Sequence, residues 1–123
     1  MDERDSAACV FCKIARGEIP APRLAENDEF LCIRDIHPQA REHLLVLPKE
    51  HIESLAEMFP HASEGRPKLM GRMLDFATQV AWERGLLPAG FRTVINTGKQ
   101  GGQTVFHLHV HLLGGEPLGG SFN

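Results

Sequence analysis

The sequence predicts an α+β fold, an antiparallel sheet with helices packed on it. Three observations carry that expectation. Short apolar stretches of strand length are mixed with helical patterns but lack the regular βαβ alternation of a parallel sheet. Between Lys68 and Arg84 the apolar positions Leu69, Met70, Met73, Leu74, Ala77, Val80 and Ala81 recur every three or four residues, the period of an amphipathic helix. From His107 to Leu113 histidine alternates with an apolar residue, the period of a strand.

The chain of 123 residues has the size of one domain, with 42% hydrophobic and 24% charged residues, enough for a single core without disulfide staples. Its formal charge of −3 argues against partners held by clustered positive charge, so neither nucleic acid nor a membrane surface is expected. No apolar run reaches spanning length, and Met1-Asp2-Glu3-Arg4-Asp5 lacks the pattern of a secretory signal. A cytoplasmic protein is expected. Residues 1–8 read as a flexible segment, 9–115 as the domain and 116–123 as a C-terminal tail.

In chain order, Phe30–Ile36 reads as a strand ending at the turn around His37-Pro38-Gln39, and His43–Leu47 as another, closed by Pro48. A short helix is expected from Ile52 to Met58. Ser63, Gly65 and two prolines make Phe59–Pro67 a loop. The long helix follows, with Pro67 suited to its first turn and Gly85 to its C-terminal cap; its stripe reads as core or subunit interface. Phe91–Thr97 is a further strand. The loop Gly98–Gln103 leads to the last strand, Val105–Leu113, and lacks the glycine spacing of a P-loop.

On an extended strand His107, His109 and His111 project to one side and Leu108, Val110 and Leu112 to the other. The apolar side suits the core. The imidazole side calls for chemistry, because Thr or Lys is the commoner choice on a solvated strand. His107 and His111 stand about 13 Å apart at roughly 3.3 Å per residue, so three histidines on one zinc are unfavourable and separate roles are expected.

Cys9-Val-Phe-Cys12 has the spacing of half a zinc site, although redox dithiols share it. His51 and His107 are suitable partners by type, with His37 and His61 as competitors in loops. Cys32, in mid-strand, reads as a small core residue. Three cysteines, an odd count in a chain with no secretory signal, argue against a disulfide framework.

These motifs resemble the histidine triad (HIT) family, whose signature of three alternating histidines followed by two apolar residues is matched at residues 107–113. Further blocks in family order are Phe11–Ile14 with Gly17–Pro20, Asp35–Ala40, His43–His51, and Asn96 with Gly101–His107. His111-Leu-Leu-Gly-Gly115 is most similar to the Hint branch, the purine nucleoside phosphoramidate hydrolases. The resemblance implies a HIT-like fold with a five-stranded antiparallel sheet, one long and one short helix, and a homodimer.

It also implies nucleotidyl transfer to water, with a purine nucleotide or nucleoside phosphoramidate as partner. His109 is then the nucleophile on the α-phosphorus, His111 a donor to phosphate oxygen or the departing group, and His43 a proton relay. Asn96, Gly102 and Thr104 match phosphate-binding positions, Asp35 the ribose acceptor, and Phe11, Ile19, Ile33 and Ile36 the walls of a nucleobase slot. A structural zinc on Cys9, Cys12, His51 and His107 is implied, and no catalytic metal is expected.

Three positions depart from the branch. Glu116 stands where Arg is usual, the tail from Pro117 lacks an aromatic ending, and Ile33 replaces a flanking aromatic residue. Two rival readings remain: a dinucleoside polyphosphate hydrolase, and a nucleotide-binding or zinc-dependent interaction module without physiological turnover. A metalloenzyme with a catalytic ion on His107 and His109 would instead lose its activity to chelators, and a transferase of the family typically has Gln at the position of His111.

Overall fold

The computed structural model describes residues 8–58 and 65–120. It contains one five-stranded sheet, β1 (Arg23–Glu26), β2 (Phe30–Arg34), β3 (Glu42–Pro48), β4 (Arg92–Val94) and β5 (Val110–Gly114). The strands lie in the order β1-β2-β3-β5-β4, and every neighbouring pair is antiparallel. A short helix α1 (Val10–Ala15) precedes the sheet, and the long helix α2 (Gly65–Glu83) lies between β3 and β4 in the chain.

Successive residues of a strand point to opposite faces, and here both faces are covered. Phe30 and Cys32 of β2, Leu44 and Val46 of β3, and Val110 and Leu112 of β5 join Met73, Ala77 and Val80 of α2 in one buried cluster. Leu31, Ile33, Leu45 and Leu47 meet Phe11, Cys12 and Ile14 of α1 in the other. Two-sided burial accounts for the nearly continuous apolar runs of β2 and β3.

Helix α2 ends as its sequence predicts. Gly85 has φ +74°, the Gly85 N–H donates to Trp82 O and the Leu86 N–H to Ala81 O, the paired bonds of a Schellman cap. Its face is rotated slightly from the expected stripe. Phe76 is buried against Phe30, with ring centroids 5.7 Å apart, whereas Leu74 is turned outward and 41% exposed. The helix also starts before the expected Lys68, at Gly65, with Pro67 in its first turn, where a missing N–H leaves no helical bond unmade. The remainder of the expected Phe59–Pro67 loop, residues 59–64, lies outside the described residues, as does His61.

Three elements differ from expectation. The helix expected over Ile52–Met58 is only a 3₁₀ turn at Leu55–Met58, because the Ile52 carbonyl accepts from Leu108 N–H at 2.7 Å rather than starting a helix. The short helix is α1 instead, with Cys9 as its N-cap: Cys9 Sγ accepts from the Cys12 N–H at 3.2 Å. The edge strand β1 is joined to β2 by a tight turn in which Asn27 Oδ1 accepts from the N–H groups of Glu29 and Phe30.

The strands are also shorter than their apolar runs. β2 stops at Arg34, although the Asp35 N–H still donates to the His43 carbonyl at 3.0 Å. β5 begins only at Val110, so His107 and His109 precede the ladder. Continued pairing would set Leu108 opposite Pro48, which has no N–H to give. The alternation of faces nevertheless persists: Leu108 joins the α2-side core, while the rings of His107 and His109 pack edge-on against Phe11 of α1.

Candidate functional site

At the start of α1, the Cys9 N-cap turns both cysteine sulfurs toward the end of β3 and the segment before β5. Nδ1 of His107 lies 3.2 Å from Cys9 Sγ and 3.5 Å from Cys12 Sγ, and Nδ1 of His51 lies 3.2 Å from Cys12 Sγ. All four donor atoms lie within 4.8 Å of one another. Ligands at ordinary zinc–sulfur and zinc–nitrogen distances on a tetrahedron stand about 3.6 Å apart, so a small contraction or expansion of this cluster suffices.

The tautomer fits as well. His107 Nε2–H donates to the Pro48 carbonyl at 2.7 Å, which leaves Nδ1 with its lone pair facing the sulfurs. Burial, with the neighbouring Cys9 sulfur, pushes the Cys12 thiol up to about 12, so its thiolate calls for a cation beside it. The four residues predicted as metal ligands are therefore brought together, while His37 lies elsewhere, at the mouth of the neighbouring cavity.

That cavity, of ≈460 Å³, lies on the α1 side of the sheet. Phe11, Ile19 and Ile33 form apolar walls, and Ile36 stands at its rim, 85% exposed. Asp35, Thr104, His109 and His111 supply its polar groups. All four residues predicted for a base slot thus line one cavity with the expected ribose acceptor and two of the expected catalytic histidines. Ile14 and Leu45 add apolar wall that sequence reasoning assigned to no site; on the sheet face opposite α2, both are also core residues.

His109 is buried, and its Nδ1–H donates to the carbonyl of His107 at 2.7 Å. A carbonyl can only accept, so the proton is fixed on Nδ1 and Nε2 keeps a lone pair. Burial lowers the pKa of His109, which favours the neutral ring. His111 follows at a ring-centroid distance of 5.0 Å, and burial with the adjacent His109 and His43 lowers its pKa to about 4. His43 is buried beside it, with Nε2 2.9 Å from His111 Nδ1 and 3.3 Å from Asp35 Oδ2.

The remaining expected phosphate groups are placed less directly. Asn96 Nδ2 donates to the Gly101 carbonyl, and the Gly102 N–H donates to Lys99 O at 3.1 Å, so that amide is spent within its own turn. Gly101 is required there, because a Cβ on it would collide with the Thr97 carbonyl. Thr104 faces the cavity. Cys32 is a core residue whose thiol burial pushes up to about 12.

The fold and site thus define a small α+β protein whose antiparallel sheet presents a tautomer-fixed histidine to an open cavity. Residues 16–118 match the HIT domain family, and the chain belongs to that family. It is 39% identical over 110 residues to the purine nucleoside phosphoramidase of Escherichia coli strain K12, covering 89% of this chain and 89% of that one. The HIT family hydrolase from Legionella pneumophila Philadelphia 1 superposes with a TM-score of 0.82 at 43% identity, covering 89% and 94% of the two chains. A Zn-bound histidine triad family protein from Mycobacterium smegmatis superposes with a TM-score of 0.70 at 36% identity, covering 89% and 76%. Among the described residues no helix is long and apolar enough to cross a membrane.

The lowered pKa of His111 has a consequence for stability. The unfolded chain, with an ordinary value of 6.5, takes up the proton before the fold does. Stability is therefore complete above about pH 6.5 and is lost as the pH falls toward about 4. Urea denaturation across this range should show the decline, and His111→Asn should make it shallower; equal slopes in the two proteins would contradict the assignment.

Proposed function

We propose that this HIT-family hydrolase cleaves nucleoside 5′-phosphoramidates through a covalent nucleotidyl-histidine on His109. The observation that carries the reading is the hydrogen bond from His109 Nδ1–H to the His107 carbonyl. It holds the ring in the tautomer that keeps Nε2 nucleophilic, on a side chain that lines the cavity.

In this reading the base lies between Phe11, Ile19, Ile33 and Ile36, and the ribose hydroxyls donate to Asp35. His109 Nε2 attacks the α-phosphorus, the phosphorus–nitrogen bond breaks, and the amine departs with a proton delivered by way of His111, a proton that the water of the second step gives back. Water then cleaves the nucleotidyl–His109 bond, yielding a nucleoside monophosphate and restoring the free imidazole. His111 hydrogen-bonds a phosphate oxygen or the departing amine, and His43 relays protons between the two steps. Asn96 shapes the Gly98–Gly102 loop, and Thr104 contributes a hydroxyl beside the phosphate. Oriented donors of this kind stabilise the charge on the phosphate without a catalytic metal. The phosphoramidase name of the Escherichia coli relative supports this substrate class.

The cysteine cluster is read as a zinc site. Bound there, Zn²⁺ would crosslink α1 to the segments after β3 and before β5; four protein ligands would leave no position for water. A homodimer is also part of the proposal. Leu74, Thr78 and Trp82 recur at four-residue intervals along α2, Leu74 and Trp82 are exposed large apolar side chains, and such a stripe suits a two-fold partner.

Wild type should hydrolyse adenosine 5′-phosphoramidate without added divalent metal, and His109→Ala should reduce the rate by orders of magnitude. An inert, folded wild type would contradict the substrate assignment. Metal analysis should find one zinc per chain, with Cys12→Ser losing it and melting at a lower temperature. Full zinc retention by Cys12→Ser would contradict the ligand set.

A further inference from the structure

Asp35, His43 and His111 form a second cluster whose donor atoms lie within 4.8 Å of one another, the same spacing that marks the cysteine site. Distance alone would make it a metal site too. The proton positions differ, and they can be read from groups whose role is fixed. The main-chain N–H of Gln39 donates to His43 Nδ1 at 2.9 Å. An amide N–H can only donate, so Nδ1 carries no proton, and a neutral imidazole then carries its proton on Nε2.

Both groups at Nε2 agree with that assignment. The Asp35 carboxylate accepts only, and His111 Nδ1, 2.9 Å away, receives the His43 proton rather than offering one. His111 is thereby left with its own proton on Nε2. We propose that the Gln39 main-chain N–H, acting through His43, fixes His111 as a hydrogen-bond donor toward the phosphate oxygens of a nucleotide in the cavity. Gln39 is then a positioning residue, and the proposal rests on the nucleotide reading of the site given above.

The turn that carries Gln39 is held at several points. Asp35 Oδ1 accepts from the His37 N–H at 2.8 Å, and Gln39 Nε2 donates to the His37 carbonyl at 3.1 Å. At its far end Glu116 Oε2 accepts from the Arg41 N–H at 2.6 Å. Glu116, one of the departures from the family pattern, thus clamps the segment that presents the Gln39 amide. Gly115, at φ +82°, lets the C-terminal chain approach closely, since a Cβ there would lie 3.3 Å from Arg41 Cβ.

The same proton separates the two clusters chemically. His107 keeps a bare Nδ1 toward the thiols, because its Nε2–H is bound to a carbonyl. A metal on His43 Nε2 would have to move the proton to Nδ1, directly against the Gln39 N–H. The second cluster is therefore built for hydrogen-bond donation and resists metal.

The test is heteronuclear NMR on the zinc-loaded, ¹⁵N-labelled protein at neutral pH. Long-range ¹H–¹⁵N correlation should show His43 and His111 as Nε2–H tautomers and His109 as Nδ1–H. A nitrogen–nitrogen coupling across the hydrogen bond should link the Gln39 amide to His43 Nδ1. In His43→Leu, the two ring nitrogens of His111 should move toward averaged shifts while His109 keeps its tautomer. Saturating AMP should shift the His111 Nε2 proton in wild type.

An Nδ1–H tautomer at His43, an unchanged His111 tautomer in His43→Leu, or no shift with AMP would each overturn the proposal. So would a second equivalent of zinc that displaces the His43 proton. Phosphoramidate turnover accompanied by the wrong tautomers would overturn this inference and leave the hydrolase reading standing. The expected tautomers in a protein inert toward phosphoramidate would support the hydrogen-bond chain and overturn the substrate reading instead.

Discussion

His107 is fully buried, and all three of its polar groups other than the peptide N–H are engaged by different parts of the fold. Its Nε2–H is bound to Pro48 at the end of β3, its Nδ1 faces the sulfurs of Cys9 and Cys12, and its carbonyl holds the Nδ1 proton of His109. A buried polar group left without a partner costs on the order of 1–3 kcal/mol, so these contacts stand or fall together. The candidate metal cluster and the candidate nucleophile are consequently two ends of one hydrogen-bonded unit. Phe11 packs edge-on against the rings of both His107 and His109, adding α1 to the same unit.

Around that unit the two sheet faces divide their labour. The α2 face is almost purely apolar, and its packing of Met73, Phe76, Ala77 and Val80 on β2, β3 and β5 gives the rigid support that a preorganised site needs. The α1 face carries the candidate site, with Leu31, Ile33, Leu45 and Leu47 as its floor. Burial on this second face favours neutral imidazoles, which suits nucleophilic attack and directed hydrogen bonding better than a row of cations.

Much of this was legible in the sequence where a residue type and a period pointed the same way. The His–apolar alternation assigned both faces of the segment before and within β5, and Gly85 marked the end of α2. Cys9 and Cys12 announced half a cluster. Other features had no local signal. A helix of six residues capped by a cysteine lacks the usual Ser, Thr, Asp or Asn, so α1 has no start signal in the sequence. β1 is four residues of mixed character whose pairing depends on β2. The exchange of Leu74 for Phe76 on the buried side of α2 was decided by Phe30 across the core. The Gln39 amide is a main-chain group, identical in every residue but proline, so only the turn's geometry discloses it.

In the proposed reaction His109, neutral and fixed in one tautomer, forms a covalent bond to the nucleotide during turnover. Intact-protein mass spectrometry after alkaline quench, during steady-state hydrolysis of adenosine 5′-phosphoramidate, tests it most directly. A fraction of the chains should carry one adenylyl group, located on the peptide that contains His109. Sustained turnover with no labelled chain, or with the label on another residue, would contradict it.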